Sequence, residues 1–261
     1  LRGALATKPA GGRDVMVYVH GYNTRYAEGI YRLAQLAHDF DLPGVAVHYA
    51  WPSAGKPLVY AYDRDSALYA RDGLEALLTE ITASRPDRIV LVAHSLGSAV
   101  TMETLRQLSI GSRRDVLSRI GGVVLISPDI DIDVFRAQAR RIGALPQPFF
   151  IFTSRRDRAL AISALLTGQN ERLGNVTEVS ELAEFDVTVL DVSAFSTGLG
   201  HFALGDSPAL IRLLSVLGDV SAAFNRDPWA RPGLLPGTIL TVRRATQIIL
   251  QPLETLAEEV D

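Results

Sequence analysis

Five consecutive apolar residues, Ile89-Val90-Leu91-Val92-Ala93, run directly into His94-Ser95-Leu96-Gly97, after which Val100 and Leu105 open a helical spacing. An unbroken apolar run of this length fits a strand buried on both faces, the interior strand of a parallel sheet. The same alternation recurs along the chain. Short β-branched or apolar runs predict strands near 16–20, 45–50, 88–93, 122–127, 149–153 and 187–192. Between them, sets such as Ile30, Leu33, Ala34, Ala37 and Ala67, Ala70, Leu74, Leu77, Leu78, Ile81 put one apolar stripe on a helix. Strand and helix in alternation predict an α/β fold: a mainly parallel sheet of six strands or slightly more, with helices on both faces. Ligand chemistry then belongs in the loops at the carboxyl ends of the strands.

With 261 residues, 48% of them hydrophobic, the chain can bury a layered core in one large domain. Residues 1–14, with Lys8-Pro9 and Gly11-Gly12 and no apolar periodicity, read as a mobile entry segment or a short lead-in. The catalytic domain is expected over 15–225, closing with a helix from Ser207-Pro208 that buries Leu210, Leu213, Leu214, Leu217 and Phe224. Residues 226–261 read as a proline-rich connector followed by an amphipathic helix packed on the body, with Val242, Ala245, Ile249, Leu253, Leu256 and Val260 on one side. The segment between the fourth and fifth strands is too short to hold a large cap domain.

The net charge of −3 gives no reason to expect a nucleic-acid partner, and 0 cysteines remove disulfide and thiolate chemistry. No apolar run reaches the length of a membrane span. The chain opens on Leu1 rather than Met, the pattern that removal of an upstream segment would leave.

The strand, turn and helix around Ser95 are the setting in which a serine becomes an exposed nucleophile. The tight turn demands small residues two before and two after it, met here by Ala93 and Gly97. The amide of Leu96, at a helix start, and that of Tyr22, in the His20-Gly21-Tyr22-Asn23 loop after the first strand, are the candidate oxyanion donors. A helix N-cap is the competing structural reading of Ser95. A serine nucleophile needs an imidazole base and a carboxylate to orient it. Of five histidines, His201 alone lies in the loop after the last predicted strand, flanked by Gly198, Gly200 and Phe202. His20 and His94 flank the two catalytic loops, and His38 and His48 read as structural. Between Ser95 and His201, Asp157 follows the fifth predicted strand and is the preferred acid. Asp129, after the fourth, is the alternative and also reads as a helix cap. Tyr22, Trp51, His94 and Phe202 are candidate pocket walls.

Two other patterns fail on inspection. The acidic run Asp129, Asp131, Asp133 lacks the glycine and the glutamate of a calcium loop, since Val134 and Arg140 stand there. Gly198-Leu199-Gly200-His201-Phe202-Ala203 resembles a dinucleotide fingerprint but follows the last predicted strand. No metal or cofactor is expected.

The blocks Val19-His20-Gly21-Tyr22-Asn23-Thr24, Trp51-Pro52-Ser53, Tyr62-Asp63-Arg64-Asp65-Ser66-Ala67 and Ala93-His94-Ser95-Leu96-Gly97 resemble the bacterial α/β-hydrolase family called domain of unknown function 900. Ser154-Arg155-Arg156-Asp157-Arg158-Ala159-Leu160 and Gly200-His201-Phe202 are similar to its acid and histidine segments. The resemblance spans about residues 15–217. It implies an α/β-hydrolase fold, an esterase-like triad of Ser95, Asp157 and His201, and an envelope or secreted location, with the cytoplasm as the alternative. The expected reaction is hydrolysis of carboxylic esters, small or polymeric, with short to medium acyl chains. A non-catalytic binding scaffold, or an acyltransferase or amidase with the same triad, is the alternative.

Overall fold

A computed structural model describes residues 1–39, 44–56, 59–168, 171–195 and 235–251. Its elements follow the predicted alternation. After α1 (Arg2–Ala6) come β1 (Val15–Val19), α2 (Tyr26–Asp39), β2 (Val45–Tyr49), α3 (Tyr60–Ala83), β3 (Ile89–His94) and α4 (Leu96–Ile110). Then follow α5 (Arg114–Leu117), β4 (Ile120–Ile126), α6 (Ile132–Ile142), β5 (Phe149–Thr153), α7 (Arg158–Leu166) and β6 (Val187–Asp191). All six predicted strands are present.

Two further strands, β7 (Leu235–Val242) and β8 (Ala245–Gln251), enlarge the sheet to eight, in the order β2-β1-β3-β4-β5-β6-β8-β7. Every pairing is parallel except that of β7 with β8. The amphipathic helix expected in the tail is therefore corrected over 235–251, where the chain forms a hairpin. Thr238, Ile239, Thr241, Val242, Thr246, Ile248 and Ile249 are β-branched and fit a pleated surface better than a helix. The hairpin escaped notice because its turn is Arg243-Arg244, with Arg243 at φ 53°, rather than the usual Asn or Gly. The predicted helix over 207–224, the connector residues 226–234 and the tail beyond 251 lie outside the described residues.

The strands sort their side chains by parity. Val15, Val17, Val19, Leu91, Ala93, Val123, Leu125 and Ile151 face a core shared with Leu74 and Leu78 of α3, Leu105 and Leu108 of α4, and Phe135 of α6. Met16, Tyr18, Val92, Val124, Phe150, Phe152, Leu190 and Ile248 face the other way, against Leu36 of α2. In the lead-in, Leu5 is buried in the first core, and Gly11 N and Arg13 N donate to Asp87 Oδ2 at 3.0 and 3.2 Å. A buried leucine and a carboxylate acceptor tie down a segment whose glycines had suggested freedom. No helix among the described residues is long and apolar enough to cross a membrane.

The hairpin makes a checkable statement about the core. Ile248, only 2% exposed, packs with Leu190 on the second face. Ile248→Ala is expected to lower the unfolding free energy by about 2–5 kcal/mol in urea titration, the loss typical of a core position. A side chain on a loosely attached tail would register almost no loss.

Candidate active site

Because β3 ends at His94 and α4 starts at Leu96, the whole change of direction falls on Ser95. That residue takes φ 52° and ψ −124°, a conformation that costs an L-residue about 1–3 kcal/mol and persists only where the surroundings enforce it. Here they do. Ser95 N donates to Ile126 O at 3.0 Å, and Ser95 O accepts from Ser98 N at 3.0 Å and from Asp129 N at 3.3 Å. The side chain makes no capping bond to its own helix, which argues against the N-cap reading.

The loop after β1 lies against this turn because two glycines allow it. A Cβ on Gly97 would stand 2.3 Å from His20 O and 2.4 Å from Val19 O. On Gly21 it would stand 2.7 Å from His94 Nδ1 and 2.8 Å from Ser95 Cβ. The sequence singled out Gly97 as small for helix–strand closeness; the atoms it avoids are the last carbonyl of β1 and the first of the loop that carries Tyr22. Leu96 opens the fifteen-residue α4, so its N–H has no acceptor inside the helix and sits at the positive end of the dipole. Tyr22 and Leu96 thus lie on two loops in contact, and half-buried His94 abuts Gly21 between them.

Trp51 is 3% exposed, stacks on the His20 ring with centroids 4.9 Å apart, and donates from Nε1 to His20 O at 2.6 Å. An indole must satisfy its N–H when buried, and here the backbone of the loop after β1 accepts it. The His20 ring nitrogens in turn lie 2.9 Å from Gly21 O and 3.0 Å from Trp51 O. Trp51 and His20 therefore brace the loop from behind.

Asp129 and Asp157 have separate environments. Asp129 is buried in an ion pair: Arg172 Nε stands 3.2 Å from Oδ1, Tyr60 donates its hydroxyl to Oδ2 at 2.7 Å, and Ser163 Oγ donates to Oδ1 at 2.7 Å. Its expected capping role is corrected, because Asp131 caps α6 by accepting from Val134 N. Asp157, 2% exposed, follows β5 and caps α7, accepting from Leu160 N at 3.1 Å. His201 and Phe202 lie outside the described residues.

Sequence reasoning missed two residues of α3. Asp63 is fully buried; its Oδ2 accepts from Asn23 N at 3.2 Å and Ser53 Oγ at 2.6 Å, and its Oδ1 accepts from Ala54 N at 2.7 Å. Tyr60 meets Tyr22 edge to face, centroids 5.4 Å apart. Burial, then the Asp129 charge, push the Tyr60 phenol well above its ordinary range. The available signal was Asp63 itself, an acid placed where the helix turns toward the core.

His48 of β2 lies beside the Tyr18, His20 and Tyr26 rings, and burial and then the neighbouring His20 push its pKa down to about 4. Burial lowers that of His20 as well. An imidazole whose folded pKa lies below its ordinary 6.5 leaves the unfolded chain binding more protons between those values. Stability is then complete above about pH 6.5 and falls as pH drops toward 4. Urea midpoints measured from pH 7 to 4.5 are expected to decline in that window, and to decline less in His48→Phe, which keeps the ring stacking.

Gly97 supplies a second test. Gly97→Ala pushes a methyl into the carbonyl oxygens of Val19 and His20. It is expected to cost about 2 kcal/mol or more in urea titration, from overpacking that nothing flexible can relieve.

The sequence profile of the family described as alpha/beta hydrolase of unknown function (DUF900) matches residues 4–217. An uncharacterized protein of Nostoc sp. is 38% identical over 63 residues, which span 24% of this chain and 16% of that protein. Among solved structures, a predicted CIB-like hydrolase from Thermoplasma acidophilum is similar at 15% identity and a TM-score of 0.46, covering 79% of this chain and 86% of that one. Lipase B of Aspergillus fumigatus is similar at 13% identity and 0.47, covering 87% and 55%.

Proposed function

The chain belongs to the DUF900 family of alpha/beta hydrolases, and from that footing we propose that it is a serine hydrolase that cleaves carboxylic esters through an acyl-enzyme. The observation that carries this reading is Ser95 held at φ 52° between β3 and α4, with the Gly21-Tyr22 loop seated against it. Strain of this kind is a poor choice for a purely structural serine and a good one for a nucleophile.

In the proposed reaction Ser95 Oγ attacks the ester carbonyl while His201 takes its proton. Asp157 holds the imidazole in the tautomer that can accept it. The amides of Leu96 and Tyr22 stabilise the oxyanion, each fixed donor contributing roughly 3 kcal/mol. Collapse of the tetrahedral intermediate expels the alcohol, protonated by His201, and leaves the acyl group on Ser95. Water, deprotonated by the same imidazole, then releases the carboxylic acid and restores Ser95. His201 enters through its place in the sequence after β6, and Asp157 through its burial at the end of β5. Asp129, whose carboxylate already serves Arg172, Tyr60 and Ser163, is the weaker acid candidate. We assign the substrates to esters of short to medium acyl chains and to accessible polyesters.

Turnover of p-nitrophenyl butyrate is expected to fall by at least about a thousandfold in Ser95→Ala and in His201→Ala. A fluorophosphonate probe is expected to label the wild type at Ser95 and not the Ser95→Ala variant. Turnover that survives Ser95→Ala would refute the assignment, and a folded wild type that takes no label would identify a binding scaffold instead.

A further inference from the structure

We propose that Asp63 is a positioning residue for the oxyanion donor on the loop after β1: its carboxylate locks Asn23 to the loop after β2 and so fixes the Tyr22 amide next to Ser95. The inference rests on the reading of Ser95 as nucleophile and Tyr22 as donor. Among the described residues no cation pairs with Asp63, although the side chain is fully buried. A buried carboxylate compensated only by neutral donors is a costly device. Its donors share one location. Asn23 N is the amide next after Tyr22, while Ser53 Oγ and Ala54 N belong to the loop following β2.

The Ser53 hydroxyl extends the lock, since its oxygen also accepts from Thr24 N and Gly55 N, both at 3.3 Å. Asn23 sits at φ 52°, a left-handed conformation that an external acceptor helps hold. One turn earlier on the same helix, Tyr60 presses edge-on against the Tyr22 ring and is anchored by Asp129. The first turn of α3 therefore grips the loop twice, at the Tyr22 ring and at the amide that follows. Such a grip acts on the geometry of a donor toward an oxyanion, which exists only in the transition state, and much less on substrate binding.

Asp63→Asn separates this role from general support. If the amide oxygen keeps Ala54 N, the NH2 group meets the Asn23 N–H and the Ser53 hydroxyl, so attraction at the loop is lost with little change of volume. With rates normalised to sites titrated by fluorophosphonate, kcat for p-nitrophenyl butyrate is expected to fall roughly 10- to 100-fold while KM moves less than about threefold. The inhibition constant of an alkyl trifluoromethyl ketone is expected to weaken by the same factor as kcat/KM. A folded Asp63→Asn variant with kcat per titrated site and ketone affinity both unchanged would overturn the inference, as would a loss confined to the fraction of titratable sites. Should Asp63→Asn fail to fold, Ser53→Ala carries the test, with kcat expected to fall about three- to tenfold for one lost hydrogen bond; an unchanged kcat overturns the inference. If the wild type itself shows no Ser95-dependent turnover, the function fails and the inference with it, whereas wild-type turnover with an indifferent Asp63 removes the inference alone.

Discussion

The turn at Ser95 is possible only because no side chain stands between the first turn of α4 and the carbonyls of Val19 and His20, where β1 passes into its loop. A Cβ on Gly97 would stand 2.4 Å or less from two of those carbonyl oxygens, and backbone oxygens in a sheet cannot give way as a side chain can. This contact depends in turn on strand order. The chain leaves β1 for β2 at the sheet edge and crosses back to pair β3 beside β1. The helix after β1 packs on one face, through Leu36, while the helix after β3 packs on the other, through Leu105 and Leu108. Neighbouring strands whose outgoing helices part to opposite faces open a crevice at their carboxyl ends, and Ser95 stands at that crevice.

Around the crevice two buried carboxylates are stabilised in different ways. Asp129 has a guanidinium 3.2 Å away, so its charge is balanced within its own cluster. Asp63 has only amides and a hydroxyl, and its field reaches His20, where it opposes the effect of burial. His20 nevertheless stays depressed, as does His48 beside it. The loop is thus braced by the stacked His20 and Trp51 rings on one side and by the Asp63 carboxylate on the other.

Much of the fold was legible because its interior strands are apolar without interruption and its helices carry one stripe each. Local pattern suffices where both faces are buried, so Ile89–Ala93 and Phe149–Thr153 could hardly be read otherwise. The hairpin at 235–251 was not legible, because the spacing of Val242, Ala245 and Ile249 imitates a helix and the Arg243-Arg244 turn carries no turn residue. Ser95 was visible through its setting, with small Ala93 and Gly97 on either side. The support that Trp51 gives the loop was not legible for a physical reason: where a buried indole N–H finds its acceptor depends on a partner that sequence does not encode. Asp63 was missed for the same reason, since its importance lies in three donors scattered over Asn23, Ser53 and Ala54.

The extra hairpin changes what surrounds the last strand of the predicted core. Had the sheet ended at β6, that strand would have been an edge with a row of unpaired backbone groups. Instead β8 runs parallel to β6, Asp191 opposite Ile249, and β7 runs back along β8 with Leu235 opposite Gln251. The chain leaves β6 at its carboxyl end, and because β7 is antiparallel it re-enters the sheet at that same end. Asp191, the last residue of β6, and Leu235, the first of β7, therefore lie at the same end of the sheet as Ser95.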